Sequence, residues 1–506
     1  MFKTLSINKT ITVLLLLFIF FYFYKLNINP LYRDELANGL DAYTLGINGT
    51  NIYGEKYPFL FNLHGTDLLE PMFKYMLIPF INVFGRTANG VRMLSVTIAT
   101  FTILLTGLLS FELFKKKKIA IISMLFLAVS PWHFVFSRLG FRAILVPFLF
   151  TLATYLFFKA KDKPVFSPLS CLVFGLTTWS YAVTRLTLPL FIILLIIIFF
   201  KQIIKINKFD LFAGILILIL TVFPIFMITI SNRTFNSRTE KVTILNSDKA
   251  TETISKNIKS YFNYRYVFFD GDANERHSIL GVGLENPITI IFFLIAIFLS
   301  FKNKTNRKII SFLLGWMLIG LFPGFVTEPN HSLRTIGVLP SIQILAGFGV
   351  YQFVKSINKY QDLIFKSIIG LSALYGIYFI FMYFGPNVKY ASKMFVAGLD
   401  EVVIYANTNY PEEKIVYGAT IRHPYAYQLF YGQSYTDTDI PYIKEFVTRQ
   451  CNVGTGLKSC YKHEEFRDRD YVYIEKANSL EGLDELGNVV FVSKVLNGED
   501  LYAVIK

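Results

Sequence analysis

Apolar residues run through this chain in blocks rather than alternating with charge. Leu186–Phe200, for one, contains no charged residue. A helix rises 1.5 Å per residue, so about 20 apolar residues match the hydrocarbon core of a bilayer. Eleven blocks approach that length, near 10–26, 88–112, 119–136, 141–158, 165–183, 186–200, 210–230, 287–301, 309–326, 335–354 and 364–384. The pattern predicts an α-helical polytopic membrane protein with about eleven transmembrane helices. Met1–Tyr24 carries Lys3 and Lys9 beside its apolar run and has no small-residue cleavage site after it. It reads as a retained first helix rather than a signal peptide.

Three polar stretches between or after the blocks are long: 27–87, 231–286 and 385–506. In the last, short β-rich runs appear at Lys414–Tyr417, Tyr471–Glu475, Val489–Val492 and Leu501–Ile505, with helix-like segments between them. They predict a small C-terminal α/β domain, 385–506, behind a transmembrane domain, 1–384, that includes the other two stretches. No internal repeat is visible.

The first of the three has its own pattern. Over Arg33–Gly46 a helical spacing puts Asp34, Asn38 and Asp41 on one face and Leu36, Leu40 and Tyr43 on another. This suits an amphipathic helix on the membrane surface. Met72–Phe84 contains Pro79 and is too short to span, so it is expected in the interface plane with Lys74 near the headgroups. Gly54, Pro58, Gly65 and Pro71 supply turns between the two.

Charge gives the topology a direction. The 50 Lys+Arg exceed the 35 Asp+Glu, for a net charge of +15. The lysines cluster at 115–118, 159–163, 201–208, 302–308 and 355–366, at every second loop and on the side of Lys3. Such clusters mark cytoplasmic loops facing anionic lipid, not a nucleic-acid surface. The reading is therefore a multi-pass cell-membrane protein with its N-terminus cytoplasmic and its C-terminus, with the α/β domain, extracytoplasmic. Of the three cysteines, Cys171 lies in an apolar block and reads as a packing residue. Cys451 and Cys460 lie close together in the tail, where a disulfide and two separate thiols are both compatible with the sequence.

Candidate chemistry gathers at the outer edge. Asp34 or Glu35 near a helix start is consistent with capping, or with a general base taking a proton from a hydroxyl. Basic residues lie there against the positive-inside bias: His133, Arg138 and Arg142 in one loop, Arg185 in another, His331 and Arg334 beside Glu328 in a third. Each alone is compatible with snorkelling to headgroups; together they suit a phosphate, for which arginine offers a fixed fork of donors. GxxxxGK[ST], CxxC, HExxH and GxSxG are all missing from the sequence. ATP-driven, zinc-protease and serine-hydrolase chemistry are not indicated. No cofactor is required, although a divalent metal at Asp34 with neighbouring carboxylates stays open.

Four segments carry a resemblance: RDELANGLDAYTL from Arg33, EPMFKYMLIPFINVFG from Glu70 followed by VRMLS, SPWHFVFSRLGFRA from Ser130, and HSLRTIGVLP from His331. In this order the chain resembles the polytopic glycosyltransferases of the GT-C class. It is most similar to the bacterial branch related to protein O-mannosyltransferases and lipid A aminoarabinose transferases. The resemblance implies an integral membrane glycosyltransferase. It would move a sugar from a polyprenyl-phosphate donor to a hydroxyl of a glycan, lipid or protein acceptor at the outer face, with inversion. It implies Asp34, or Glu35, as base, and Arg138, His331 and Arg334, with Lys74, as donor-phosphate ligands. Asn38, Asp41 and Glu70 would support the acceptor or the loop. Relatives often place a lysine before the proline that opens the interface helix; here Glu70 precedes Pro71, leaving Lys74 as the nearest replacement. A transporter or flippase of lipid-linked glycans is the alternative, but it would more often show midplane charge and repeated halves. A scaffold whose tail binds cell-wall glycan is a third reading.

Overall fold

A computed structural model describes residues 9–64, 67–232, 235, 243–245, 249–302, 306–357, 359–411, 414–417, 421, 423–432, 471–476, 489–494 and 500–505. The chain divides into two compact units, 1–24 with 95–384, and 25–94 with 385–506.

The first unit is helical, and every expected apolar block is a helix or a bent helix pair. Among the described residues, six helices are long and apolar enough to cross a membrane: Ala88–Phe114, which begins in the second unit, Arg142–Lys159, Thr184–Ile203, Lys208–Ser231, Arg307–Phe325 and Gln361–Phe384. Two bent pairs, Lys117–Ala128 with Pro131–Ser137 at 60° and Ser332–Val338 with Ser341–Ser356 at 49°, pass the same test together and bring the total to eight if each is one span, fewer than the eleven expected. Ile11–Phe23, Phe166–Thr177 and Pro287–Ser300 are apolar but shorter. The bends fall at Pro131 and Pro340, whose nitrogens carry no hydrogen to continue a helix. At the first, the Ser130 hydroxyl accepts from the amide of His133 at 3.4 Å and starts the new helix.

The apolar surface confirms the solvent. In Lys208–Ser231 only 11% of the most apolar window is buried. Phe212, Ile219, Leu220 and Phe223 all point outward. Such a face is stable against lipid tails and would aggregate in water. Inside the unit, small residues let helices meet. Gly349 lies where an added Cβ would run into the backbone carbonyl of Phe292, so the helices Ser341–Ser356 and Pro287–Lys302 touch backbone to backbone. Cys171 sits against Gly214 of the neighbouring helix, as a packing residue would.

The second unit joins the first loop to the C-terminal stretch. Its sheet runs in the order Lys414–Tyr417, Tyr471–Lys476, Asp500–Ile505, Val489–Lys494; the first pair is parallel and the others antiparallel. All four β-rich runs read from the sequence are therefore strands. The helix Leu399–Asn409 covers the sheet, with Tyr405 stacked on Phe491 at 4.3 Å. Cys451 and Cys460 lie outside the described residues.

The domain division differs from the one expected. The first loop, grouped above with the membrane helices, packs instead with the C-terminal residues. Its helix Arg33–Asn48 is not a surface helix: Glu35 to Ala42 are all buried. It packs on Met72–Phe84 and on the segment Pro424–Gly432. Gly39 makes this possible, because a Cβ there would come within 2.8 Å of the Phe430 ring. Gly49 ends the helix at φ 68°, in the left-handed region that glycine adopts without strain.

Candidate functional site

Consecutive carboxylates on the first-loop helix have different surroundings. Glu35 is fully buried. Arg92 lies across it, with Nε to Oε1 and Nη2 to Oε2 both at 2.8 Å. Glu35 also accepts from the amide of Tyr32 at 3.0 Å, which caps the helix. The other guanidinium hydrogens of Arg92 go to the carbonyls of Leu26, Asn29 and Pro30. Arginine, always charged and fork-shaped, is suited to such a buried pair.

Asp34 keeps its side chain about a third exposed. Its Oδ1 lies 3.2 Å from Nε2 of His64, and the other ring nitrogen, Nδ1, lies 2.7 Å from the Tyr425 hydroxyl. An ionised carboxylate only accepts hydrogen bonds, so in the neutral ring Nε2 carries the hydrogen and Nδ1 accepts from Tyr425. Burial pushes the Tyr425 phenol well above its ordinary pKa, which keeps it a donor. His423 stacks on His64 at 3.9 Å and fixes the plane of the ring.

Lys74 and Asp41 form a second buried pair. Lys74 is 1% exposed, with its ammonium over the Phe61 ring at 4.6 Å, and Asp41 also accepts from the amide of Ile52 at 3.1 Å. Lys74 is thus not at the headgroups as expected: Asp41 draws it inward, since two opposite charges are buried more cheaply together than alone. Asn38 and Glu70 are buried in the same unit.

The expected basic residues of the first unit also separate into two kinds. Arg138 is 1% exposed and donates to the carbonyls of Phe21 and Tyr22, at the end of the helix Lys9–Phe23. Its guanidinium lies within 5.4 Å of the ring centres of Phe134, Tyr383 and Phe384. These contacts cap a helix and close a seam. Arg334 and His331 are more open. Both reach the Glu328 carboxylate, at 3.2 Å and 3.1 Å. Nη1 of Arg334 is buried without a hydrogen-bond partner among the described residues. Arg334 also lines a cavity whose other walls include Val146, Phe150, Phe191, Trp316 and Ile319. Burial and the charge of Arg334 bring the His331 imidazole down to about 4, so the ring is neutral at pH 7.

Beside His331 lies a group that sequence reading passed over. Asp272 and His277, from the second long loop, meet His331, and one donor atom of each lies within 4.8 Å of the others. Asp272 accepts from the amide and hydroxyl of Ser332 at 2.8 and 2.6 Å, and from the amide of Asn274 at 2.8 Å. Burial alone would raise its carboxyl; the contact with His277 and the bonds from Ser332 outweigh that and hold it at about 2. No motif spacing announces the cluster, because its members are brought together by loops. His64 escaped notice for the same reason.

The helical bundle with its bent crossings, together with an α/β unit that takes in the first loop, has the GT-C fold of polytopic membrane glycosyltransferases. Among solved structures it is similar to ArnT from Cupriavidus metallidurans bound to undecaprenyl phosphate, with TM-score 0.65, 8% identity and 97% of each chain covered. The same protein in the apo state matches with TM-score 0.58 and 9% identity, over 98% of this chain and 97% of that one. An Archaeoglobus fulgidus oligosaccharyltransferase tethered to an acceptor peptide matches with TM-score 0.50 and 10% identity, over 97% of this chain and 74% of that one. No protein-family model matches the sequence, and no curated protein matches it.

Proposed function

We propose that this protein transfers a sugar from a polyprenyl-phosphate carrier to an acceptor hydroxyl, with inversion at the anomeric carbon. The observation that carries the reading is Arg334, which stands beside His331 among apolar side chains such as Val146, Phe150 and Phe191 and keeps one guanidinium nitrogen without a hydrogen-bond partner among the described residues. A polyprenyl phosphate has the matching chemistry, a hydrocarbon chain ending in an anion. The similar fold of a protein solved with undecaprenyl phosphate supports the choice.

As the bond from the anomeric carbon to the phosphate oxygen breaks, negative charge grows on the leaving phosphate. Arg334, with His331 beside it, stabilises that charge. Arg138 and Lys74, engaged with carbonyls and with Asp41, are assigned to holding the structure rather than to the phosphate. Asp34 acts as base: it accepts the acceptor's proton as the hydroxyl oxygen bonds to carbon, and the Nε2 hydrogen of His64 steadies the carboxylate. Glu35 is assigned to the helix cap and Arg92, and Asn38, Asp41 and Glu70 to support of the loop. The lysine clusters favour a cytoplasmic N-terminus and chemistry at the outer face, where a glycan, lipid or protein acceptor is met.

The test is transfer from a labelled polyprenyl-phosphate sugar in membranes containing the protein. Transfer that needs both Asp34 and Arg334 is expected. Movement of labelled carrier across the membrane without transfer would overturn the reading in favour of a transporter, for which the two bent helix pairs are the supporting feature.

A further inference from the structure

We infer that Asp272, His277 and His331 bind a divalent transition-metal ion of the zinc type. The donor set is the first reason: two imidazoles and a carboxylate suit Zn2+ far better than Mg2+ or Ca2+, which favour oxygen alone.

Geometry is the second reason. Nδ1 of His277 lies 3.3 Å from Oδ2 of Asp272, yet it makes no hydrogen bond of good geometry among the described residues. His277 is only 4% exposed. With metal–ligand bonds of about 2.0–2.2 Å, the edge of a tetrahedral site is about 3.3–3.6 Å. The pair therefore stands at the separation that a shared ion requires. Nδ1 of His331 is likewise buried and unpartnered among the described residues. One donor atom from each of the three residues lies within 4.8 Å of the others.

The surroundings are the third reason. Metal-bound histidines commonly give their other nitrogen to a carboxylate, which fixes the ring and raises its basicity. His331 does this with Nε2, 3.1 Å from Glu328. Asp272 is aimed by the amide and hydroxyl of Ser332, whose own carbonyl accepts from the Trp132 indole at 3.1 Å. Three protein ligands leave a fourth position open for water or an anionic oxygen. The ion would tie the second long loop to His331, which immediately precedes the short helix Ser332–Thr335 that carries Arg334.

The experiment uses the full chain in detergent, without a histidine tag, stripped by chelator and reloaded with Zn2+ or Co2+ alone. One ion per chain is expected, with weak visible d–d bands for Co2+ and no thiolate charge-transfer band. His277→Gln and His331→Gln should each lose the ion, and Glu328→Gln should weaken binding about 10–100-fold. Zn2+ should raise the melting temperature of the native chain. These readings do not depend on transferase activity. No bound ion in the reloaded native chain would overturn the inference, whatever the variants do. So would a thiolate band, which would move the ion to cysteine, or full binding by well-folded variants at both histidines.

Discussion

Arg92 and Glu35 form a two-pronged ion pair inside the second unit, 57 residues apart in sequence and sealed from solvent. Removing one partner leaves the other charge buried alone, which costs about 3–5 kcal/mol. Arg92→Ala and Glu35→Gln should therefore lower the melting temperature or the yield of folded protein. Arg92→Lys should not restore it, because a single ammonium cannot make both bonds and reach three carbonyls. Thermal unfolding in detergent checks this.

Asp34 should behave differently from its neighbour. Asp34→Asn is expected to leave folding intact and reduce transfer by about 100–10,000-fold, the usual contribution of a general base. His64→Phe should give a smaller loss of transfer with folding retained. Equal transfer by Asp34→Asn and the native chain would remove the base from the proposal.

Arg334→Ala is expected to lower the rate by about 100–1000-fold, as loss of one donor to a developing oxyanion does. Lysine at this position should recover part of the rate, since it supplies the charge without the fork. Rates at saturating donor separate this effect from weaker binding.

For the Lys74–Asp41 pair the prediction concerns coupling. Lys74→Met or Asp41→Leu alone should destabilise the second unit strongly. The double change should restore much of the loss, because a buried pair replaced by apolar residues is often neutral. If the double variant is no better than the worse single one, the pair is not the reason for the loss.

Gly349→Val tests the helix contact in the first unit. A branched side chain against the Phe292 carbonyl forces the two helices apart, and overpacking of this kind costs about 1–3 kcal/mol or more. Lower thermal stability, with the second unit's variants unaffected, is the expected result.

Block length and β-rich spacing in the sequence are enough to place the apolar helices and the four described strands. Those features depend on local pattern, which the sequence displays directly. The site was less legible. Nothing in RDEL separates Asp34 from Glu35; that depends on Arg92 reaching one of them. Lys74 reads as a free cation until Asp41 is seen to face it. Asp272 and His277 carry no motif, and His331 was read only as a phosphate ligand. The grouping of the first loop with the tail rests on contacts such as His64 with Tyr425, 361 residues apart, which no periodicity encodes.

That last contact has a consequence for how the protein is made. Ribosomes add about 5–20 residues per second, so Tyr425 follows His64 by about 20–70 s. During that time the helix Arg33–Asn48 has none of its distant packing surface, while the intervening apolar helices are threaded into the bilayer. The buried pair of Arg92 with Glu35 forms from residues already synthesised and gives the waiting loop a fixed core. The unit around Asp34 is then completed only once the late segment Pro424–Gly432 arrives.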